Sequence, residues 1–239
     1  LLGIVALAGS LSPPPAAATE FLATLGFEDD VDLVVSPNRE FMVVPEESED
    51  GAHARLRILD LDPASGEYVA ILDEYDEGDG ILGFENGVDP LIISQPGAGG
   101  AYLILVPVEN EAGTEAKVIQ FLTDDHGVVV GRVDIELGDL GFREDVDAVW
   151  DTYNVAGAPA VAFFVLESED HAVRGVLAID ADNGDGDWGV CRLLSTDGRA
   201  GCGATEEVDW LPGLADGVDP IAYSPAGGFV FLWLPVTGA

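Results

Sequence analysis

Positive charge is what this 239-residue sequence most lacks. Nine Lys and Arg, with Lys117 the sole lysine, stand against 45 Asp and Glu, for a formal charge of -36. A surface so short of cations has little with which to neutralise phosphates, which argues against nucleic acid and anionic membranes as partners. Cysteine is almost missing too. The chain has two, and with only three histidines it contains no C-x-x-C, no His/Cys cluster and no zinc-ligand spacing. There is no G-x-S-x-G, no P-loop and no G-x-G-x-x-G after a strand, so the common nucleophile and phosphate-cradling motifs are excluded. No apolar run approaches the roughly 20 residues of a membrane-spanning helix, and no 3.6-residue periodicity persists.

What is present is enough for a folded core. The chain is 48% hydrophobic and 23% charged, a balance outside the range of disordered sequences. Its acidity has two readings: a solvated surface adapted to high salt, where screening removes self-repulsion, or a role that involves cations or basic surfaces. The first residues, "LLGIVALAGSLSPPPAAATE", carry a short apolar run over Leu1–Ala8, small-residue A-x-A sites and a break at Pro13–Pro15. Residues 1–18 therefore read as a signal-peptide remnant and Pro/Ala linker, which predicts export to the periplasm, the cell surface or the medium; a short hydrophobic strand or anchor is the alternative. Cys191 and Cys202 flank a loop that can fold back around Thr196–Gly198, so they are candidates for a disulfide, or for two buried free thiols.

The strongest pattern is a recurrence. "GFEDDVDLVV" from Gly26 returns as "GFENGVDPLI" from Gly83, "GFREDVDAVW" from Gly141 and, in part, "LADGVDPIAY" from Leu214. The marker residues Asp32, Asp89, Asp147 and Asp219 lie 57, 58 and 72 residues apart, a period typical of stacked or radial supersecondary units. In the second unit four runs rich in β-branched and aromatic residues, at 90–94, 101–108, 116–122 and 128–137, are separated by Gly, Asp, Asn or Pro and predict four strands. The first and third units match run for run, with "EFMVVP", "RLRILDLD" and "EYVAILDE" in one and "AVAFFVL", "RGVLAID" and "WGVCRLLS" in the other. "DPASGE" and "TDDHG" supply hairpin turns.

Four antiparallel strands in about 57 residues is the size of a propeller blade. On these repeats, residues 26–239 resemble a secreted bacterial β-propeller repeat protein of the broad class; the WD40 Gly-His and Trp-Asp pairs are missing and the kelch glycine pair is inconsistent. The resemblance implies an all-β β-propeller of four-stranded antiparallel blades. The expected units are 26–82, 83–140, 141–213 and a partial 214–239, within a propeller region 19–239. Three blades and part of a fourth make an incomplete ring, which reads as a fragment of a longer chain. "TEFLATL" at 19–25 sits where a ring-closing strand belongs.

In this register each Gly-Phe is expected to end the connection between units, with the Phe wedged between blades. Each recurring Asp then heads an inner strand. Asp32, Asp89, Asp147 and Asp219 either fix turns through backbone N–H bonds or converge at the mouth of a central channel as ligand-binding carboxylates. A second acidic set, beginning at Glu47, Glu109 and Glu167, is expected in solvated loops on the same face, where it could join the aspartates in holding a hard cation such as Ca2+. "DADNGDGDWG" resembles an oxygen-rich calcium loop and offers Asp180, Asp182, Asp185 and Asp187 as weaker metal ligands. Its register is defective, with Ala181 in the first ligand position, so a Gly/Asp hairpin turn is the simpler reading. His53, His126 and His171 read as exposed loop residues.

The expectation for function is a secreted or cell-surface binding or scaffold module, its ligand a protein, carbohydrate or small molecule. The alternative is a propeller hydrolase or lyase that uses paired carboxylates at an acidic channel mouth.

Overall fold

The computed structural model describes residues 26–27, 31–47, 53–79, 83–84, 87–94, 102–110, 115–137, 141–143, 146–152, 160–167, 174–180, 189–195, 218–225 and 231–233. Among them every regular element is a β-strand in an antiparallel sheet, and no helix is long and apolar enough to cross a membrane.

The first sheet runs β1 (Gly26–Phe27), β3 (Phe41–Glu47), β4 (His53–Leu61) and β5 (Tyr68–Asp79), with β2 (Val34–Val35) also paired to β3. The second is the meander β6 (Leu91–Ser94), β7 (Tyr102–Glu109), β8 (Ala116–Thr123) and β9 (Val129–Glu136). The third repeats the first: β10 (Gly141–Phe142) and β11 (Val149–Thr152) both pair with β12 (Ala160–Glu167), which continues into β13 (Arg174–Asp180) and β14 (Gly189–Ser195). A last pair joins β15 (Ile221–Tyr223) to β16 (Phe231–Trp233). The strands fall on the runs that the sequence marks out, although β5 extends to Asp79, beyond the expected end at 74.

Gly-Phe lies elsewhere than the sequence suggests. It does not merely end a connection: Gly26 and Phe27 pair with Glu47 and Glu46, and Gly141 and Phe142 with Glu167 and Leu166. Between them Gly83 exchanges both backbone hydrogen bonds with Glu109, at 2.7 and 3.0 Å. Each dipeptide is thus the first half of a broken head strand, and the Val-Asp segment crosses the break.

The sheets stack face to face, which explains the unbroken apolar runs of the second strands. All eight residues of β7 are buried because the strand feeds two cores. Leu103 and Leu105 join Val118, Phe142, Phe164, Leu166, Leu177 and Ile179 between the second and third sheets. Ile104, Val106 and Val108 join Phe41, Val43, Leu56, Ile58 and Phe84 between the first and second. A third cluster sets Val161, Phe163, Val176 and Ala178 against Ala222 and Leu232 of the last pair. Both Phe84 and Phe142 are 5% exposed and sit in the inter-sheet cores, as a wedge would. Gly127, at φ +87, turns β8 into β9 so tightly that a Cβ there would lie 2.6 Å from Cγ of Phe41 in the neighbouring sheet.

Candidate functional site

Two chains of contacts cross these interfaces, and both use residues of the recurring motif. The first is a ladder of aspartates. The backbone N–H of Asp32 donates to Oδ1 of Asp89 at 2.7 Å, that of Asp89 to Oδ1 of Asp147 at 3.1 Å, and that of Asp147 to Oδ1 of Asp219 at 2.9 Å. The carboxylates of Asp89, Asp147 and Asp219 therefore each fix the backbone of the unit before them. Ser224, whose N–H donates to Oδ2 of Asp151 at 2.8 Å, adds a further tie between the third sheet and the last pair.

Side-by-side carboxylates carry an electrostatic penalty. Burial pushes the Asp89 carboxyl above its ordinary range; the N–H of Asp32 opposes the rise, and the charges of Asp147, Asp32 and Asp219 add to it. Asp147 is raised in the same way, first by burial and then by Asp219 and Asp32. A hydrogen bond contributes about 0.5–1.5 kcal/mol net, against roughly 1.5–3 kcal/mol for each fully buried Phe, Leu or Ile. The apolar cores hold the stack together, and the ladder sets how one sheet sits on the next.

The second chain runs through the glutamates. Glu47, Glu109 and Glu167 are the last residues of β3, β7 and β12 and are buried at 8%, 4% and 6% exposure. Oε2 of Glu47 accepts the N–H of Phe84 at 3.1 Å, and Oε2 of Glu109 accepts that of Phe142 at 2.7 Å. Glu167 pairs with Arg143, close to the third Gly-Phe. A Cβ on Gly83 would come 2.8 Å from Oε1 of Glu47, and one on Gly141 would come closer still to Glu109. These glycines leave room for the carboxylate; neither needs a left-handed backbone. The solvated-loop position expected for Glu47, Glu109 and Glu167 thus gives way to burial. Glu109 and Glu167 directly follow an unbroken apolar strand, and Glu47 follows one with only Glu46 between; that adjacency was the available signal.

The scarce cations are also spent internally. Arg55, Arg57, Lys117, Arg132 and Arg143, five of the nine in the chain, each pair with a carboxylate. Arg55 and Arg57 lie 2.8 and 3.4 Å from Oε2 of Glu46, yet burial still raises the Glu46 carboxyl above its ordinary range. Arg132 bonds Asp134 and lies over the ring of Tyr75 in the first sheet, 4.1 Å from its centroid. Arg132 and Asp134 sit two residues apart on β9, whereas the pairs of Arg55, Arg57, Lys117 and Arg143 were not legible in the sequence, because each brings together residues from separate segments of a sheet.

Among the described residues no group of three or more His, Cys, Asp or Glu side chains is placed to hold a metal ion. Asp32, Asp89, Asp147 and Asp219 come together pairwise along the ladder, whereas the glutamates are spent on backbone and arginine. Asp182, Asp185, Asp187, Cys202 and His171 lie outside the described residues, as do the side chains of Asp180, Cys191 and His53. His126 is exposed, as expected, and its Nδ1 lies 2.8 Å from Oε2 of Glu40 in the first sheet's turn.

No protein-family model matches the chain, and no curated protein matches it in sequence. Among solved structures, hydrazine synthase of Kuenenia stuttgartiensis aligns with 66% of this chain and 52% of its own, at 16% identity and a TM-score of 0.33. The chain spans about half the length of that structure, and a likeness so distant defines neither fold nor function.

Proposed function

We propose that the chain supplies consecutive blades of a secreted or cell-surface β-propeller that acts as a binding or scaffold module for cationic ligands, basic protein surfaces foremost. One observation carries this reading: successive sheets stack face to face, and the same Asp at the head of each first strand bonds its neighbour across three interfaces. Such heads line up in a radial arrangement of blades, so their carboxylates gather where inner strands meet. With five of nine cations spent inside the sheets, the remaining charge is overwhelmingly negative and attracts positive partners.

Raised carboxyls on Asp89 and Asp147 favour a second reading, carboxylate catalysis, since groups that hold protons more tightly than usual are suited to general-acid work. Surface plasmon resonance of the immobilised chain against basic proteins and polysaccharides, beside a hydrolysis assay on the same polysaccharides, separates the two. Saturable binding without turnover, weakened in an Asp89→Asn/Asp147→Asn variant that keeps its far-UV spectrum, supports the module. Turnover lost in that variant supports catalysis and overturns it.

A further inference from the structure

The second sheet runs β6–β7–β8–β9, and among the described residues no strand pairs with the far side of β9. Stacking covers the faces of a sheet, and both faces of this one are already packed, on the first sheet and on the third. Its outer edge stays open however many sheets lie on either side. Along that edge alternate backbone N–H and C=O groups point away from β8, where a further strand can take them. The edge is also apolar: Val128, Val130 and Val133 are 44%, 62% and 57% exposed. From Gly131 to Glu136 the pairing of β9 with β8 is unbroken, its one register shift lying between Leu122 and Thr123. β5, the outer strand of the first sheet, is built differently. It has three register shifts against β4, and it exposes Asp73 and Glu74 as well as Val69. Irregularities and charges of that kind keep edge strands from pairing. On β9 the two central charges are engaged elsewhere, since Arg132 and Asp134 bond each other and reach Tyr75 of the first sheet and Lys117 of β8.

Resting on the reading of the chain as a module for basic protein surfaces, we infer that the outer edge of β9 takes up an extended segment of a basic protein as an added strand. The open row of backbone groups calls for a partner in strand conformation, because only another strand matches its spacing. Charge decides what that strand carries. Asp124 and Asp125 precede β9 and Glu136 ends it, so the valines lie between acidic ends on a chain of net charge -36. A fitting segment has β-branched residues at its centre, to lie beside Val130 and Val133, and Lys or Arg at its ends. Main-chain hydrogen bonds then supply affinity, and the charged ends select a basic partner over a second copy of this acidic chain.

The test is fluorescence anisotropy of a labelled peptide of about nine residues, alternating valine and threonine between lysines at both ends, titrated with the whole chain in about 0.05 M NaCl. Saturable binding is expected, with new hydrogen-exchange protection at the β9 amides. Two analogues carry methyl groups on one or the other set of alternate backbone nitrogens, which removes donors but keeps charge and side chains. One of the two should bind about tenfold or more weakly and the other nearly as well as the parent, since only one set faces β9. Val133→Lys should weaken binding comparably, whereas Val69→Lys on β5 makes the same change of charge and should have little effect. The methylated peptides need only the wild-type protein, so they decide the matter even if Val133→Lys fails to fold. Equal binding of both analogues and the parent, equal loss in the two Lys variants, or equal binding of a peptide with glutamate in place of lysine overturns the proposal. So does a peptide that does not bind while basic proteins do, which leaves the general reading standing; failure of every basic protein and peptide removes both. Self-association lost in Val133→Lys, without uptake of peptide, puts a second copy on the edge and overturns the basic partner.

Discussion

Replacing Gly141 with Ala drives a methyl group into the carboxylate of Glu109, and the cost should disappear when that carboxylate is removed. In the native protein Oε2 of Glu109 accepts the buried N–H of Phe142 at 2.7 Å, and the absent Cβ of Gly141 is what allows the approach. Glu109→Ala leaves that N–H without its charged acceptor, which costs about 1.5–3 kcal/mol. Gly141→Ala alone forces the carboxylate or the head strand to shift, an overpacking cost of about 1–3 kcal/mol. In the double variant the Ala at 141 meets the space that Glu109 vacated, so only the first cost remains. The double-mutant cycle should therefore show a favourable coupling of about 1–3 kcal/mol, within the range for residues in contact. Urea unfolding followed by far-UV circular dichroism, with unchanged m-values, measures all four corners. Gly66→Ala is the control, since Gly66 has φ +71 and open space around its missing Cβ, and any cost there is backbone strain alone. Strict additivity of Glu109→Ala and Gly141→Ala would show that the glycine serves something other than the carboxylate, and would refute the latch.

Further tests are electrostatic. Because the folded-state carboxyls of Asp89 and Asp147 are raised, their penalty is fully present above those values and absent below the unfolded value near 3.8. Thermal stability should thus rise as pH falls through those raised values toward 3.8, and Asp89→Asn should flatten that rise. Asp134, held below its ordinary range despite burial by Arg132 and Lys117, works the other way: its stabilisation is present above 3.8 and is lost as pH falls through its lower folded value. Its loss should end the rise at strongly acid pH, and a melting temperature that only falls on acidification would refute the raised carboxyls of Asp89 and Asp147. The His126 ring is raised by its bond to Glu40, so that contact stabilises below the unfolded value of 6.5 and fades as pH rises through the folded one. His126→Gln should remove a shallow step in melting temperature near neutral pH and leave the acid-side behaviour intact. Sodium chloride at about 1 M should raise the melting temperature more than sucrose at equal osmolality, and equal effects would mean that repulsion among the acidic residues is unimportant.

Strand positions were legible in the sequence because their causes are local. β-branched and aromatic runs such as Ala116–Thr123, bounded by turn residues, form strands almost wherever they lie, and Asp124 and Gly127 specify their hairpin from four residues. The recurrence of Val-Asp was legible too, as was the inter-sheet burial of Phe84 and Phe142. What the Asp and Glu side chains do was not. A Glu after an apolar run reads equally well as a solvated loop residue, and only the third dimension brings Glu47 to the N–H of Phe84, 37 residues away, and Glu109 to that of Phe142. Likewise an Asp that could cap its own turn instead reaches the backbone of the preceding unit, 57 residues back in the case of Asp89. Backbone preference is set by neighbours along the chain, so sequence determines it. A carboxylate's role is set by whichever donor faces it across an interface, and that facing is decided when the apolar sides of the sheets are buried against one another.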